Sequence, residues 1–149
     1  MNLYLPLIEG ARDKILGSKM ITGKRKEKFV AEITSGSHTI IADVRANLGG
    51  TDTGPEPHEI FEASLAACTI ITVQMYADRH AWKLDSTDVK VTLDKEGAQS
   101  HLTREIAFRG DLSAEQITRL LEIADKCPIH KLMTSAITIT TVLAADSPN

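Results

Sequence analysis

The longest apolar stretch of the chain, residues 57–80, predicts one long helix. Pro57 suits the first position of a helix, where no backbone donor is needed. The β-branched run after Cys68 would suit a strand equally well, but an apolar segment of about twenty residues is too long for a typical strand. Because few polar residues interrupt this helix on any side, we expect it to lie at the centre of the fold or across a subunit interface. Apolar or small side chains recur at helical spacing: Ile60, Phe61, Ser64, Leu65 and Cys68.

Alternation of apolar and polar residues predicts two β-hairpins and a last strand. The first hairpin joins residues 28–34 to residues 38–44 through "SGS", where the glycine supplies the dihedrals of the turn. The second hairpin joins residues 86–96 to residues 102–112. Residues 136–144 alternate again and are expected to close the chain as a strand.

The clearest helix lies in residues 112–127. Ser113 and Gln116 can form a capping box, in which each side chain satisfies the backbone donor of the other. A short helix over residues 128–133 follows, and residues 5–16 predict another near the N-terminus. The buried stripe of the clearest helix is expected to consist of Ile117, Leu120, Leu121 and Ala124.

Together these elements predict an α+β fold, with helices packed against antiparallel sheet. The 149 residues are 42% hydrophobic, which allows one domain with a sizeable core. We therefore expect residues 1–149 to form a single domain, in which residues 1–27 are a less defined N-terminal extension. Aromatic residues make up only 4%, so this core must be mostly aliphatic.

The charge and hydropathy of the chain limit which partners and which cellular location we expect. The net charge of −3 gives no electrostatic reason to expect nucleic acid or an anionic membrane, and the basic run at residues 24–28 is interpreted as a solvated turn. We expect no segment to supply the roughly 20 apolar residues of a membrane-spanning helix. The N-terminus lacks the basic start of a signal peptide, and two cysteines are too few for a disulfide scaffold. These features favour a cytoplasmic protein with reduced cysteines.

The two cysteines, Cys68 and Cys127, carry the candidate chemistry. Cys68 lies deep inside its helix beside small and apolar residues, so its local sequence favours an inert core residue unless the fold brings a charged partner. Cys127 can cap the helix that Pro128 begins, and His130 and Lys131 lie close in the sequence, which is a setting that lowers a thiol pKa. If the two sulfurs meet, a thiolate can attack an electrophilic oxygen or sulfur, and the second thiol can then form a disulfide.

Other site types have weaker support in the sequence. The histidines lack metal-ligand spacing, so a Cys/His zinc site could form only by convergence of distant segments. The glycine-rich residues 47–54 have neither of the usual nucleotide-binding spacings.

Two motifs, "GPEPHEIFEASLAACT" and "CPIHKLM", together with the hairpins around them, resemble the OsmC/Ohr family of osmotically inducible protein C and organic hydroperoxide resistance proteins. The resemblance runs in order from about Lys28 to Leu143. It implies an OsmC-like fold, with antiparallel sheets packed around long central helices in an intertwined homodimer. The active sites of such a dimer lie at the subunit interface.

The resemblance also implies an activity, the thiol-dependent reduction of organic hydroperoxides. Cys68 would be the peroxidatic nucleophile and Cys127 the resolving thiol, the reverse of the order that their local sequences favour. An external dithiol, of the lipoyl type, would restore the thiols, and no metal or bound cofactor is expected.

The sequence departs from the family pattern at the residues that would stabilise the thiolate of the first cysteine. Typical peroxidase members carry a glutamate ten positions before it, where this chain has His58, and Glu59 follows one residue later. They also carry an arginine in the first hairpin turn, where this chain has "SGSH"; Arg45 lies nearby but at a different position. His58 or Glu59 is therefore the expected polar support for Cys68. The departures leave two alternatives: a dimer without peroxidase activity that binds a small apolar ligand or a partner in its interface pocket, and a purely structural role for both cysteines.

Overall fold

The computed structural model describes residues 20–144, which form two antiparallel sheets, three α-helices and a short 3₁₀ helix at Ala46–Leu48. The first sheet holds β1 (Ile21–Arg25), β2 (Ala31–Ser35) and β3 (His38–Ala42), in that order. The second is a long hairpin of β4 (Lys83–Lys95) and β5 (His101–Asp111). The helices are α1 (Pro57–Arg79), α2 (Ala114–Ala124) and α3 (Pro128–Met133). The α+β class is therefore confirmed; the helix expected at residues 5–16 lies outside the described residues.

The first sheet confirms the predicted hairpin and adds a strand that the sequence pattern did not reveal. β2 and β3 meet in the register Ser35–His38, so that Gly36 and Ser37 form the turn, and Gly36 has a positive φ of 60°. β1 pairs with β2 and contains part of the basic run that was expected to be a turn. Its side chains are exposed along its whole length, which is why no apolar alternation marked it.

Asp43, at the end of β3, organises the glycine-rich loop that leads to α1. Its carboxylate is 2% exposed and accepts hydrogen bonds from the backbone N–H of Val44 and from the N–H and hydroxyl groups of both Thr51 and Thr53. These donors, with the Thr51 hydroxyl as the largest contribution, hold the pKa of the carboxyl well below its usual range. The loop is thus folded around a buried carboxylate of its own chain.

Helix α1 begins and ends close to the predicted positions, with Pro57 in its first turn and a capping box between Glu56 and Glu59. It packs on β4, α2 and α3. Its length and composition would suffice for a membrane span, so the expectation that no segment reaches that length is wrong. Because it contributes buried residues to the domain core, it is the core helix of the fold. Those residues are Leu65, Thr69, Val73, Tyr76 and Ala77.

Within one chain, only part of the apolar surface that the sequence predicts is buried. In α2 the Ser113–Gln116 capping box forms as predicted, and Leu120 and Ala124 are buried. The prediction was wrong for Ile117 and Leu121, which stay exposed, while Ile123 is buried instead. The buried side of α2 packs against α1. The apolar side chains of Ile117 and Leu121 are not covered by any of the described residues.

The C-terminal segment also differs from its prediction. Residues 136–144 were expected to form a strand, but they pair with no described strand and are exposed throughout. A strand needs a neighbour to satisfy its backbone groups, and the alternating pattern of this segment does not say which edge would supply one.

Candidate functional site

The fold brings Cys68 and Cys127 together, although they are far apart in the sequence. Cys68 lies in the middle of α1, and Cys127 occupies the turn between α2 and α3; both are free thiols. Their side chains hydrogen-bond to each other. Sulfurs far apart would have supported a purely structural role, and this contact removes that argument.

Cys127 takes the helix-capping position that its sequence predicts. It precedes Pro128 with extended dihedrals, and its Sγ accepts a hydrogen bond of 3.3 Å from the backbone N–H of His130. Cys68 Sγ accepts from the backbone N–H of Ile129, in the first turn of the same helix. Both sulfurs therefore face the amino end of α3, but Cys127 is 0% exposed whereas Cys68 is partly exposed.

The environment favours a negative charge on Cys127. The hydrogen bond from Cys68 lowers the pKa of Cys127 to about 6, with further lowering by the His130 N–H, the Thr69 hydroxyl and the charge of Arg104, against the opposing effect of burial. The same thiol–thiol bond, together with burial, raises the pKa of Cys68. Because the two thiols interact strongly, their pKa values belong to the pair rather than to either cysteine alone.

Arg104 is the site residue that the sequence predictions missed. Its Nη1 donates to Thr69 Oγ1 at 3.0 Å and to the carbonyl of Ala124 at 3.1 Å, and its Nη2 donates to Asp125 Oδ1 at 2.7 Å. Its side chain is only 11% exposed. A signal was present in the sequence, because a charged residue interrupts the apolar alternation of β5.

His58 and Glu59, the predicted supports of Cys68, have other partners within the chain. His58 Nε2 lies 3.4 Å from Glu96 Oε1, and Glu59 accepts from the backbone N–H of Glu56 and pairs with Arg45. Nine residues of helix separate Glu59 from Cys68 by about 14 Å along the axis and about two and a half turns, so the two side chains leave opposite sides of α1. Polar support of Cys68 by His58 or Glu59 stays a prediction, and the contacts observed for these two residues give no evidence for it.

An open groove of about 420 Å³ lies beside residues that surround the thiol pair, although neither cysteine lines it. Arg104 and His130 border it, with Leu65 and Met133 among its apolar walls. A second depression of about 590 Å³ shares Met133 and reaches His58. The charged groups thus line the first depression, and apolar residues such as Phe61 and Leu93 line the second. Among residues 20–144, no group of three His, Cys, Asp or Glu side chains is placed to hold a metal ion.

Comparisons with known proteins agree with this fold. The family model for "OsmC-like protein" matches residues 50–142, whereas a search of curated proteins finds no match. An OsmC-like protein of Mycoplasma pneumoniae has a TM-score of 0.67 and 19% identity, over 79% of this chain and 88% of that chain. A putative osmotic stress induced and detoxification response protein of Psychrobacter arcticus has a TM-score of 0.67 and 17% identity, over 78% and 88%. An organic hydroperoxide resistance protein OsmC of Legionella pneumophila has a TM-score of 0.55 and 19% identity, over 80% and 90%.

Proposed function

This chain belongs to the OsmC/Ohr family, and we propose that it reduces organic hydroperoxides with the thiols of Cys68 and Cys127. The observation that carries the proposal is the pair of free thiols that the fold brings together at the start of α3, where Cys127 Sγ also accepts from the backbone N–H of His130. A thiolate is the reactive form of cysteine, and a second thiol within reach can trap its oxidised product. The names of structural neighbours from Legionella and Vibrio, which refer to hydroperoxide resistance, support the same substrate class.

The reaction consumes one hydroperoxide per thiol pair. The Cys68 thiolate attacks the terminal peroxide oxygen, the O–O bond breaks, and the alkoxide leaves and takes up a proton, which gives an alcohol and a sulfenic acid on Cys68. Cys127 then attacks that sulfur, a disulfide forms and water leaves. An external dithiol of the lipoyl type reduces the disulfide and becomes a disulfide itself. These steps need no bound cofactor, and they suit a reducing compartment such as the cytoplasm.

Reduced protein is expected to lose both thiols when it receives one equivalent of cumene hydroperoxide. Mass spectrometry of the intact chain should show the loss of two hydrogen atoms, and peptide mapping should place the disulfide between Cys68 and Cys127. Adding dihydrolipoamide should then sustain steady consumption of the hydroperoxide.

Protein whose thiols are blocked by alkylation is the control for this experiment. Thiols that survive the hydroperoxide would contradict the proposal. Retention of an apolar ligand in the groove of such an inert protein would instead support the alternative of a ligand-binding dimer.

The exposed apolar surface supports a homodimer as the functional unit. On α1, Phe61, Ile71 and Met75 remain exposed on one side of the helix, with Ile71 at 58%. Monomeric soluble proteins rarely leave a continuous apolar patch of this kind open. The unpaired segment 136–144 and the open edges of both sheets supply strand partners that a second copy could use. A second copy of this chain would cover all of these features at once.

Sedimentation equilibrium is expected to give twice the mass of the chain for the wild-type protein. Ile71→Glu places a charge in the apolar patch, so it should weaken dimerisation by at least about a hundredfold. Lys90→Glu, an equally large change at an exposed position of β4, should leave the dimer intact. A wild-type monomer at micromolar concentration would contradict the dimer but not the thiol chemistry.

A further inference from the structure

Arg104 lies on the face of β5 that packs toward the helices. It alternates there with apolar residues, and Ile106 and Phe108 on the same face pack against the core cluster. A guanidinium in such a place costs free energy unless its surroundings offer matched partners. The fold therefore gives this one cation a specific set of neighbours rather than solvent.

Two of those neighbours connect Arg104 to the cysteines: the Ala124 carbonyl also accepts from the backbone N–H of Cys127 at 3.2 Å, and Thr69 follows Cys68 in α1. Among residues 20–144 its carboxylate partner is Asp125, which is 68% exposed and thus well screened by water, whereas its other acceptors there, Thr69 and Ala124, are neutral. The ionisable groups around Cys127 come from three directions: Cys68 from α1, Arg104 from β5, and Asp125 with His130 from the two ends of the α2–α3 turn. Among them Arg104 is the permanent cation.

We propose that Arg104 is a positioning residue that keeps one negative charge on the thiol pair, with the charge resting on Cys127 and passing to Cys68 for reaction. The passage is a proton transfer from Cys68 Sγ to Cys127 Sγ along their hydrogen bond, so no other reactant is needed. Cys127 is fully buried, so a hydroperoxide can reach only the partly exposed Cys68.

The transfer of the charge to Cys68 for reaction rests on the proposed function. The presence of one negative charge on the thiol pair does not depend on that function. The charge can be measured without any hydroperoxide, by following the ultraviolet absorbance of the thiolate in the reduced full-length protein as the pH rises. Arg104→Gln is expected to raise the pKa of the first thiol to ionise by about one unit or more, because removing a nearby cation has an effect of that size. Arg104→Lys should recover most of the shift, since it keeps the charge.

Two further variants separate this role from a general loss of structure. Arg109→Gln removes another arginine from the same strand, where it pairs with Asp88 on the exposed face, and should leave the titration unchanged. Asp125→Asn removes the carboxylate that offsets the charge of Arg104, and it should lower the first thiol pKa. A purely structural disturbance would not shift the titration in opposite directions for Arg104→Gln and Asp125→Asn.

The outcomes distinguish the inference from the proposed function. A titration of Arg104→Gln that matches wild type, or an equal shift in Arg109→Gln, overturns the inference even if the protein reduces hydroperoxides. If Arg104→Gln fails to fold, an unchanged titration in Asp125→Asn overturns it instead. The expected shifts in a protein that leaves hydroperoxides intact would uphold the inference and refute the proposed function alone.

Discussion

A Cys68→Ser variant is expected to lose hydroperoxide turnover, with a fall of at least about a hundredfold in rate, because a serine hydroxyl does not ionise near neutral pH and cannot replace the attacking sulfur. Cys68 is the member of the pair that a substrate can reach, since Cys127 is 0% exposed. The measurement is dihydrolipoamide-driven consumption of cumene hydroperoxide under conditions in which the wild-type protein turns over many times.

Cys127→Ser is the matched variant, because it makes the same atomic change at the other end of the same hydrogen bond. It is expected to consume about two equivalents of hydroperoxide and then stop, since Cys68 has no thiol partner and is oxidised first to the sulfenic acid and then, by a second hydroperoxide, to the sulfinic acid. Mass spectrometry should show two added oxygen atoms on Cys68. Equal turnover in wild type and Cys68→Ser would refute the mechanism, whereas stoichiometric consumption by Cys68→Ser and none by Cys127→Ser would show that the two cysteines have exchanged roles.

The roles of the two cysteines show what local sequence can and cannot predict. The capping position of Cys127 follows from Pro128 beside it, and the structure confirms the hydrogen bond from His130, which adds to the larger effect of Cys68 in lowering the pKa of this thiol. Burial is a property of the whole fold, so the sequence around Cys127 could not reveal that the more acidic sulfur is also the less accessible one. Local chemistry and accessibility therefore point to different members of one pair.

Elements with local signals were predicted well, and elements that depend on a distant neighbour were not. The Ser113–Gln116 capping box and the turn at Gly36 are set by a few adjacent residues, and both form as predicted. Ile117 belongs to a real apolar stripe, but periodicity identifies the apolar face without identifying what covers it. The same reason accounts for residues 136–144, whose alternation is typical of a strand although no described strand pairs with them.

Arg104 marks the limit of the sequence analysis at the site. Its position in the alternation of β5 was visible as a charge among Leu102, Ile106 and Phe108. Its partners come from α1 and from the end of α2, and no spacing rule connects those segments to a strand residue. A charged residue at an inward strand position was the one available sign of a buried functional cation.

Gly110→Ala is expected to be the most damaging single change to the hairpin that carries Arg104. Gly110 has a φ of 144°, and an added Cβ would lie 2.0 Å from the carbonyl oxygen of Lys83. It pairs with the buried Leu84 beside a register shift in β4, so relief of the clash would move a core residue. Backbone strain and displaced packing together should cost at least about 3 kcal/mol of the free energy of unfolding.

Gly97→Ala distinguishes backbone strain from displaced packing. Gly97 has a φ of 153°, but nothing lies within 4 Å of the added Cβ. This variant should lose only the strain contribution, about 1 kcal/mol. Urea unfolding measures the free energy of unfolding of both variants. Both are measured at one protein concentration, because the stability of a dimer depends on concentration. Equal losses in the two variants would mean that strain alone acts and that the close approach of Lys83 to Gly110 does not constrain the hairpin. A loss confined to Gly110→Ala, with Arg104-dependent thiol titration also lost, would tie the position of the guanidinium to the register of β4 and β5.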